Sequence, residues 1–345
     1  MVRVKEAAFG EIRQDWQILE KEGHIATPFQ TFEWMNIWWK HYGPGHEKLL
    51  LLAAYADGAL VGVAPLFRNF QSIKGKVRIF NVIRLIGARE VDYPGFATVP
   101  EFEEETICAF FNHLKRHYSR DIVYFCDLPE DSHLLGAAAG GYFPARLVRK
   151  DFVCPSIVFP DSLDEYWRNL GKSTRKNIKW YRNRLSRLGE VGVEEISSHT
   201  EDSVRELFSI HYKRWGMDPR LPHLARLEEF EKELIRMLAD KGWLRLIFLK
   251  LDGRRIAAMF NYDYRGTRYF HKGGYDPSFK EHSPGTLLIW EAIKNAQESG
   301  LKKFDFMRGA EAYKSYFANN RVQCGKIILA NNIFKARMFD LMMKI

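Results

Sequence analysis

Two hairpin sequences in separate parts of the chain carry the same Asp-Gly turn, and this recurrence restricts the fold more than any other feature. Residues 49–67 read LLLLAAYADGALVGVAPLF, and residues 244–264 read LRLIFLKLDGRRIAAMFNYDY. Asp57-Gly58 and Asp252-Gly253 each separate two runs of β-forming residues. Such a pair suits a type I′ turn, in which both central residues have positive φ. The sequence therefore predicts one antiparallel hairpin in each half of the chain.

The elements predicted around the two hairpins follow the same order. The first is preceded by the helix FQTFEWMNIWWKHYG, with Thr31 as its N-cap and Gly43 at its end. The second is preceded by SVRELFSIHYKRWG, which begins at Ser203 or Asp202 and ends at Gly216. After each hairpin we predict a strand, a helix and a strand, at Val82–Ile86, Glu103–His117 and Ile122–Cys126, and at Thr267–Lys272, Thr286–Ser299 and Lys303–Met307.

We interpret the shared order as two copies of one α/β unit. Two unrelated α/β domains with the same order by chance are the alternative. The junction is expected between residues 140 and 165, where Gly140-Gly141 and Pro144 interrupt the chain before the predicted strand DFVCPSIVFP. Ser162 and Glu165 have the spacing of a capping box that begins the next helix. We therefore expect two domains, residues 1–150 and 151–345.

The composition is that of a folded protein with large cores. The chain has 345 residues, of which 46% are apolar and 28% are charged, and this excludes a disordered or fibrous protein. The formal net charge of +9 favours anionic partners such as phosphates. Four scattered cysteines form no CxxC pair, which is typical of reduced thiols in the cytosol. With no signal peptide and no apolar run of about 20 residues, we expect a cytoplasmic protein.

Two segments carry candidate binding groups. Ser283-Pro284-Gly285 begins a predicted helix, whose free N–H groups could bind a pyrophosphate; ordinary helix initiation is the alternative. The predicted helix STRKNIKWYRNRLSRL, from Ser173 to Leu188, carries Arg175 and Lys179 among many cations. Its basic face is either simply solvated or a clamp for a phosphorylated acceptor or RNA.

Ionisable residues near two strand ends are candidates for proton transfer. His271 follows two aromatic residues on one strand, and Asp305 lies between Phe304 and Phe306 on another. Alternation directs the Asp305 carboxylate away from its apolar neighbours, towards solvent or a cleft, although an ordinary edge or capping Asp remains the alternative. Both strands flank one predicted helix, so we expect them to be neighbours. No sequence pattern indicates metal, NAD or nucleotide-hydrolysis chemistry.

The segments TPFQTFEWMNIWW, EVDYPGF, LGKSTRKNIKWYRNRL and YFHKGGYDPSFKEHSPGTLLIWEAIKNAQESGLKKFDFMRGAEAYK occur in an order that resembles one family. The chain resembles the CelD-like acyltransferases associated with cellulose biosynthesis, which are related to the Fem aminoacyl transferases. This resemblance implies an α/β fold of two tandem GNAT-like domains, each with a mixed, mostly antiparallel sheet flanked by helices. It also implies an acyl-CoA donor, with aminoacyl-tRNA as the donor of the Fem relatives.

The resemblance and the candidate groups together lead to an N-acyltransferase acting on an amine of a sugar, nucleotide-sugar or envelope precursor. Catalysis is assigned to Asp305 and His271 for proton transfer and to Tyr275 as an acid toward the leaving group. The donor-binding residues are predicted as Ser283, Gly285 and Thr286, and the substrate-binding residues as Asp92, Tyr93, Arg175, Lys179, Arg308 and Lys314. The alternatives are an aminoacyl-tRNA-dependent transferase and a non-catalytic basic RNA or envelope-assembly factor. No DNA partner and no metal are expected.

The segment NNIFKARMFDLMMKI shows apolar residues at helical spacing, namely Phe334, Met338, Leu341, Met342 and Ile345. We expect this stripe to pack on the second domain, because terminal helices commonly dock on their own domain. The alternative is a basic amphipathic helix that makes peripheral contact with an anionic membrane.

Overall fold

The computed structural model describes residues 1–22, 24–43, 45, 47–73, 77–87, 91–137 and 141–343. Gly140 of the predicted junction and Ile345 of the predicted stripe lie outside these residues. The helices are α1 (Phe9–Lys21), α2 (Phe32–Tyr42), α3 (Glu103–Tyr118), α4 (His133–Ala137), α5 (Leu163–Asn169), α6 (Lys172–Leu185), α7 (Glu201–Trp215), α8 (Pro222–Asp240), α9 (Pro284–Glu298), α10 (Ala312–Ser315) and α11 (Ile333–Met342).

The strands are β1 (Arg3–Ala7), β2 (Lys48–Ala56), β3 (Ala59–Ile73), β4 (Val77–Leu85), β5 (Ala97–Thr98), β6 (Ile122–Pro129), β7 (Ala145–Val158), β8 (Val191–Ile196), β9 (Leu244–Leu251), β10 (Arg254–Tyr264), β11 (Thr267–Tyr275), β12 (Lys303–Asp305) and β13 (Asn320–Ala330). Three short 3-10 helices occupy Pro28–Gln30, Pro100–Phe102 and Pro277–His282.

Both predicted hairpins are present, as β2–β3 and β9–β10. Asp57 and Gly58 have φ of 49° and 86°, and Asp252 and Gly253 have φ of 48° and 80°. Positive φ at both central positions matches the right-handed twist of the flanking strands, which is why this dipeptide recurs at the two turns.

The predicted helix preceding each hairpin is also present, with one correction at its start. Helix α2 has Thr31 as its N-cap residue, as predicted. Helix α7 is capped by Thr200, and not by Ser203 or Asp202, because the Thr200 side chain accepts the N–H of Ser203. The helix therefore begins two residues earlier than Ser203, at Glu201.

The chain forms two compact units, Met1–Phe152 with Gln323–Ile345 and Val153–Val322. In unit 1 the strands pair in the order β1-β2-β3-β4-β6-β13, with β5 beside β3. In unit 2 the order is β8-β9-β10-β11-β12, followed by Ser156–Val158 of β7. The pairs β4·β6 in unit 1 and β11·β12 in unit 2 are parallel. The pairs β1·β2, β2·β3, β3·β4, β3·β5 and β6·β13 in unit 1, and β8·β9, β9·β10, β10·β11 and β12·β7 in unit 2, are antiparallel.

The two units share one pairing pattern, but each receives its last strand from outside its own repeat. Strand β13 follows the second repeat in sequence and pairs with β6 of unit 1. Residues 156–158 follow the first repeat and pair with β12 of unit 2. The expected boundary 151–345 is therefore corrected, because residues 323–345 belong to unit 1.

The interpretation of α11 as a core stripe on the second domain is wrong. The helix packs within unit 1 through Ala336 and Phe339, and Phe339 contacts the rings of Phe80 and Tyr124. The predicted stripe faces outward, with Phe334, Met338 and Leu341 exposed by 81%, 50% and 62%. Apolar residues occupy both sides of this helix, so spacing alone could not distinguish the packed side from the exposed one.

All four cysteines are free thiols, and Cys126, Cys154 and Cys324 are buried. Within the described residues, no helix is both long and apolar enough to span a bilayer.

Candidate active site

The clearest candidate site lies where β11 ends and α9 begins. Ser283 adopts a left-handed conformation with φ of 48°, and Pro284 is the first helical residue of α9. The Ser283 side chain does not cap the helix, and the Ser283 carbonyl instead accepts the N–H of Thr286. A Cβ on Gly285 would lie 3.1 Å from Cδ1 of Tyr275, so glycine lets this tyrosine pack against the start of the helix.

An apolar cavity of about 160 Å³ opens beside this helix start. Gly273 and Gly274 contribute no side chains to it, which leaves space where β11 approaches α9. The guanidinium of Arg214 lies at the cavity, over the ring of Trp215 at 4.9 Å and over that of Tyr275 at 4.7 Å. The lining residues are Arg214, Trp215, Ala258, Met259, Phe270, Gly273, Gly274, Tyr275, Gly285, Thr286, Leu288, Ile289 and Tyr313.

A second cavity, of about 250 Å³, joins the start of α6 to the start of α9. Thr286 lines both cavities, so the first turn of α9 separates an apolar space from a hydroxyl-rich one. Free N–H groups in the first turn of a helix attract anions, which suits a polar cavity bounded by two such turns. The lining residues are Ser173, Thr174, Asn177, Tyr181, Thr286, Tyr316 and Phe317.

Arg175 and Lys179, predicted to bind substrate, lie on α6 near this second cavity but do not line it. Arg175 is half-buried and has no acidic partner within the described part of the chain. The ammonium of Lys179 lies 5.7 Å from the ring of Trp167. Arg182, on the same helix, is paired with Glu291 at 2.6 Å. The basic face of α6 is therefore only partly neutralised by acidic side chains.

His211 is a candidate functional residue that the sequence analysis missed. Its Nδ1 donates to the carbonyl of Gly273 at 3.0 Å, and Trp215 Nε1 donates to the same carbonyl at 3.4 Å. This bond fixes the tautomer in which Nε2 carries the lone pair. Burial and the nearby charge of Lys272 lower the pKa of His211 to about 4, so the imidazole is neutral at neutral pH. Only the fold brings α7 against Gly273, and no local motif marks the residue.

His271, predicted to be catalytic, belongs to a buried charge cluster next to this site. Its Nε2 lies 3.2 Å from Oε1 of Glu231, and Lys272 Nζ lies 2.5 Å from Oε2. Burial raises the pKa of Glu231, but the charge of Lys272 and the hydrogen bonds from His271 and Lys272 outweigh burial and lower it to about 2. His271 Nδ1 is enclosed and has no hydrogen-bond partner among the described residues. His271 does not line the apolar cavity.

Asp305, the other predicted proton-transfer residue, is fully buried, contrary to the expectation of a solvent- or cleft-facing carboxylate. Its carboxylate accepts the N–H of Met307 at 2.8 Å and pairs with Lys303 at 2.8 Å. The expectation that β11 and β12 are neighbours is confirmed by their parallel pairing, in which Tyr269 lies opposite Asp305. The carboxylate thus stabilises the turn that ends β12.

Lys314 and Arg308, predicted to contact substrate, lie on and before α10. Lys314 is 3% exposed, and its Nζ donates to the carbonyl of Arg308 at 2.5 Å and pairs with Glu311 at 2.9 Å. Lys314 therefore holds the loop preceding α10 together, whereas the side chain of Arg308 is exposed.

Asp92 and Tyr93 belong to unit 1, whereas all the residues that line the two cavities belong to unit 2. Asp92 and Tyr93 are 7% and 6% exposed, and Tyr93 packs near Phe29 with 6.4 Å between ring centroids. Tyr93, which precedes Pro94-Gly95, has a positive φ of 56°. Ser283, which precedes Pro284-Gly285, likewise has a positive φ, of 48°. The two turns share a Pro-Gly sequence, but the turn at Tyr93 leads into β5, whereas Ser283 leads directly into α9.

No group of three or more His, Cys, Asp or Glu side chains in the described portion of the chain is arranged to hold a metal ion.

Comparison with known sequences identifies the class of protein. Residues 172–315 match the family model of the acetyltransferase (GNAT) domain. The match runs from α6 through α10 and includes every residue that lines the apolar cavity. The protein therefore contains a GNAT acetyltransferase domain at residues 172–315 and is an acyltransferase. No curated protein matches the chain significantly.

Solved structures extend the likeness to nearly the whole chain. FemX is 14% identical with a TM-score of 0.64, and the match covers 95% of this chain and 98% of FemX. L-PGS from Bacillus licheniformis is 11% identical with a TM-score of 0.55, covering 95% and 93%. A tandem GNAT protein from the clavulanic acid biosynthesis pathway is 11% identical with a TM-score of 0.50, covering 95% and 98%. At these identities the likeness concerns the fold, and the predicted tandem GNAT-like architecture is confirmed.

Proposed function

We propose that the protein is an N-acyltransferase that transfers an acyl group from acyl-CoA to an amine of a sugar, nucleotide-sugar or cell-envelope precursor. The observation that carries this proposal is the apolar cavity at the start of α9, inside the matched GNAT domain. The resemblance of the chain to CelD-like acyltransferases supports the class of acceptor.

The residues at the α9 turn fit an acyl-CoA donor. Apolar walls suit the acyl chain and the neighbouring part of the pantetheine arm, and the helix start beside them would bind the phosphates. Gly285 would bind the pyrophosphate through its backbone N–H group and Thr286 through its hydroxyl, because the Thr286 N–H is already bonded to the Ser283 carbonyl. Arg214 would add a positive charge at the cavity. Ser283 would contribute to the donor site through its backbone turn, since its hydroxyl does not cap the helix.

The reaction needs a proton acceptor and a proton donor near the thioester. The acceptor nitrogen attacks the carbonyl carbon, so that a C–N bond forms, the C–S bond breaks and the amine loses a proton. We assign that proton to His211 Nε2, because its Nδ1–H is held by a carbonyl that lines the cavity. Tyr275 lines the same cavity and would protonate the departing sulfur.

His271 and Asp305 receive positioning roles in this proposal. The Nε2 of His271 is bonded to Glu231 and its Nδ1 is enclosed, whereas the Asp305 carboxylate is bonded to Met307 and Lys303. In this proposal they hold β11 and β12 in place, and neither of them takes the proton of the amine.

The test is turnover of acetyl-CoA and longer acyl-CoA donors with amino-sugar and nucleotide-amino-sugar acceptors. His211→Gln should lower kcat about 10²- to 10⁴-fold while CoA binding stays unchanged. His223→Gln, an exposed histidine on α8, is the matched control and should keep full activity. Absence of turnover and of CoA binding across the donor panel would refute the proposal.

An aminoacyl-tRNA donor is the second candidate, supported by the FemX-like fold and by Arg175 on α6, which has no acidic partner among the residues that the structure describes. Neutralising Arg175 and Lys179 to Gln should then weaken tRNA binding and reduce its salt dependence. Arg182→Gln serves as the control, because Arg182 is already paired with Glu291. Turnover with aminoacyl-tRNA and none with acyl-CoA would select this donor. The GNAT match disfavours the non-catalytic RNA-binding alternative.

A further inference from the structure

Helix α11 of unit 1 presents an apolar surface that neither the core nor the candidate site uses. Phe334, Met338 and Leu341 lie on one side of the helix at spacings of four and three residues, and they are 81%, 50% and 62% exposed. We call these three side chains the outer face of α11. Contiguous exposed apolar groups of this kind mark interaction sites.

The opposite side of α11 is already packed, so the outer face is not a misplaced core. Ala336 and Phe339 are fully buried against unit 1. Asp340 is the one acidic residue of the helix, and it is directed inward, where it pairs with Arg149 at 3.4 Å. The outer face is therefore free of negative charge.

Positive charge borders the outer face. Arg337 is exposed on the same helix, and Arg120 lies at its beginning, because Lys335 Nζ donates to the Arg120 carbonyl. Within the ranges that the structure describes, neither arginine has an acidic partner. Apolar side chains bordered by unpaired arginines are complementary to a layer of anionic headgroups above acyl chains.

We propose that the outer face of α11 docks on the surface of an anionic phospholipid bilayer, with Phe334, Met338 and Leu341 inserted between the headgroups. A second copy of the chain is a poorer occupant. A two-fold contact through α11 would bring Arg337 close to its own copy, and one ten-residue helix offers far less than the roughly 800 Å² per partner of a stable interface.

The test measures binding of the full chain to vesicles of phosphatidylcholine mixed with phosphatidylglycerol and to vesicles of phosphatidylcholine alone. The wild type should bind the anionic vesicles. The variant Phe334→Ser/Met338→Ser/Leu341→Ser should lose about a hundredfold in this binding, since three insertable side chains are removed. Val193→Ser, an apolar residue 47% exposed in unit 2, is the matched control and should bind like the wild type.

A charge variant separates insertion from simple adsorption. Arg120→Gln/Arg337→Gln should weaken binding to anionic vesicles about tenfold and leave the weak binding to phosphatidylcholine unchanged. The proposal is overturned if the wild type does not bind anionic vesicles or if the serine variant binds them equally well. It is also overturned if sedimentation shows a wild-type dimer that becomes monomeric in the serine variant, because that result identifies a second copy as the occupant. None of these measurements depends on acyl transfer.

Discussion

At the scale of single residues, Gly274 allows α7 to lie directly on β11. A Cβ at this position would be 2.8 Å from Cα of His211 and 3.0 Å from the carbonyl oxygen of Ile210. Both neighbours are backbone atoms, which cannot move aside as a flexible side chain can. The absence of one side chain thus determines how close His211 comes to the cavity.

We expect Gly274→Ala to destabilise the protein by about 1–3 kcal/mol, because α7 must shift to accommodate the methyl group. Gly10→Ala is the control, since a Cβ at Gly10 would meet nothing within 4 Å. Gly10 lies in α1, where alanine should instead raise the free energy of unfolding by about 0.5–1 kcal/mol. Urea denaturation measures both changes, and equal stability of the Gly274→Ala variant and the wild type would contradict the argument.

The depressed pKa of His211 predicts a pH-dependent stability. The ordinary pKa of histidine is 6.5 and that of His211 is about 4, so the unfolded chain binds a proton more readily than the folded one between these values. The stability contributed by neutral His211 is complete above pH 6.5 and is lost as pH falls towards 4.

His211→Gln should therefore flatten the pH dependence of the free energy of unfolding between pH 6.5 and 4. Between pH 6.5 and 4, the free energy of unfolding of the wild type should fall by at most about 3 kcal/mol more than that of the variant. His223→Gln again provides the control and should follow the wild-type curve. Parallel curves for the wild type and the His211 variant would show that the imidazole is not held neutral.

At the scale of elements, a buried arginine joins the β10–β11 hairpin to α9. Arg268 is fully buried, and it bonds both carboxylate oxygens of Asp263, at 2.7 and 2.9 Å, and Oδ1 of Asn295 at 2.6 Å. Since Asn295 lies on α9, this network aligns the helix whose first turn forms the candidate donor site.

Arg268→Met should cost about 3–5 kcal/mol, because it leaves buried polar groups without their partner. Asp263 keeps a second partner, Arg245, at 3.0 Å, which favours the lower end of this range. Arg205→Met, which breaks an ion pair whose side chains are 72% and 63% exposed, should cost less than about 1 kcal/mol. Chemical denaturation compares the two, and losses of similar size would contradict the structural role of Arg268.

At the scale of the whole molecule, the exchange of last strands makes unit 1 depend on the far end of the chain. Strand β13 pairs with β6 through Leu329, Ile328 and Ile327, and all three side chains are buried. A chain without this strand would expose the edge of β6 and part of the core of unit 1.

Deletion of residues 323–345 should therefore unfold residues 1–152 and not residues 153–322. Limited proteolysis followed by mass spectrometry should show rapid cleavage in the first segment. Peptides from the second segment, the internal control, should be released at the wild-type rate. Selective loss of the second segment would instead support the domain boundary expected from the sequence.

The sequence by itself determined the repeated elements of this protein. The Asp-Gly turns, the helix ended by Gly216, the Pro-Gly start of α9 and the strands flanking it are all encoded within a few residues, because φ preferences and hydrophobic periodicity act locally. The resemblance carried by these same segments also led to the GNAT-type acyltransferase.

Only the tertiary structure decided which side chains meet. His211 reaches Gly273 across 62 positions, and Glu231 reaches His271 across 40, so no local pattern could indicate either contact. The same holds for Asp305. Alternation along the strand predicted an outward carboxylate, but in the folded protein this carboxylate is buried and contacts Lys303 and the N–H of Met307. The pairing of β13 with β6 could likewise not be predicted from the sequence. Two repeats of one fold offer equivalent strand edges, and sequence order does not distinguish them.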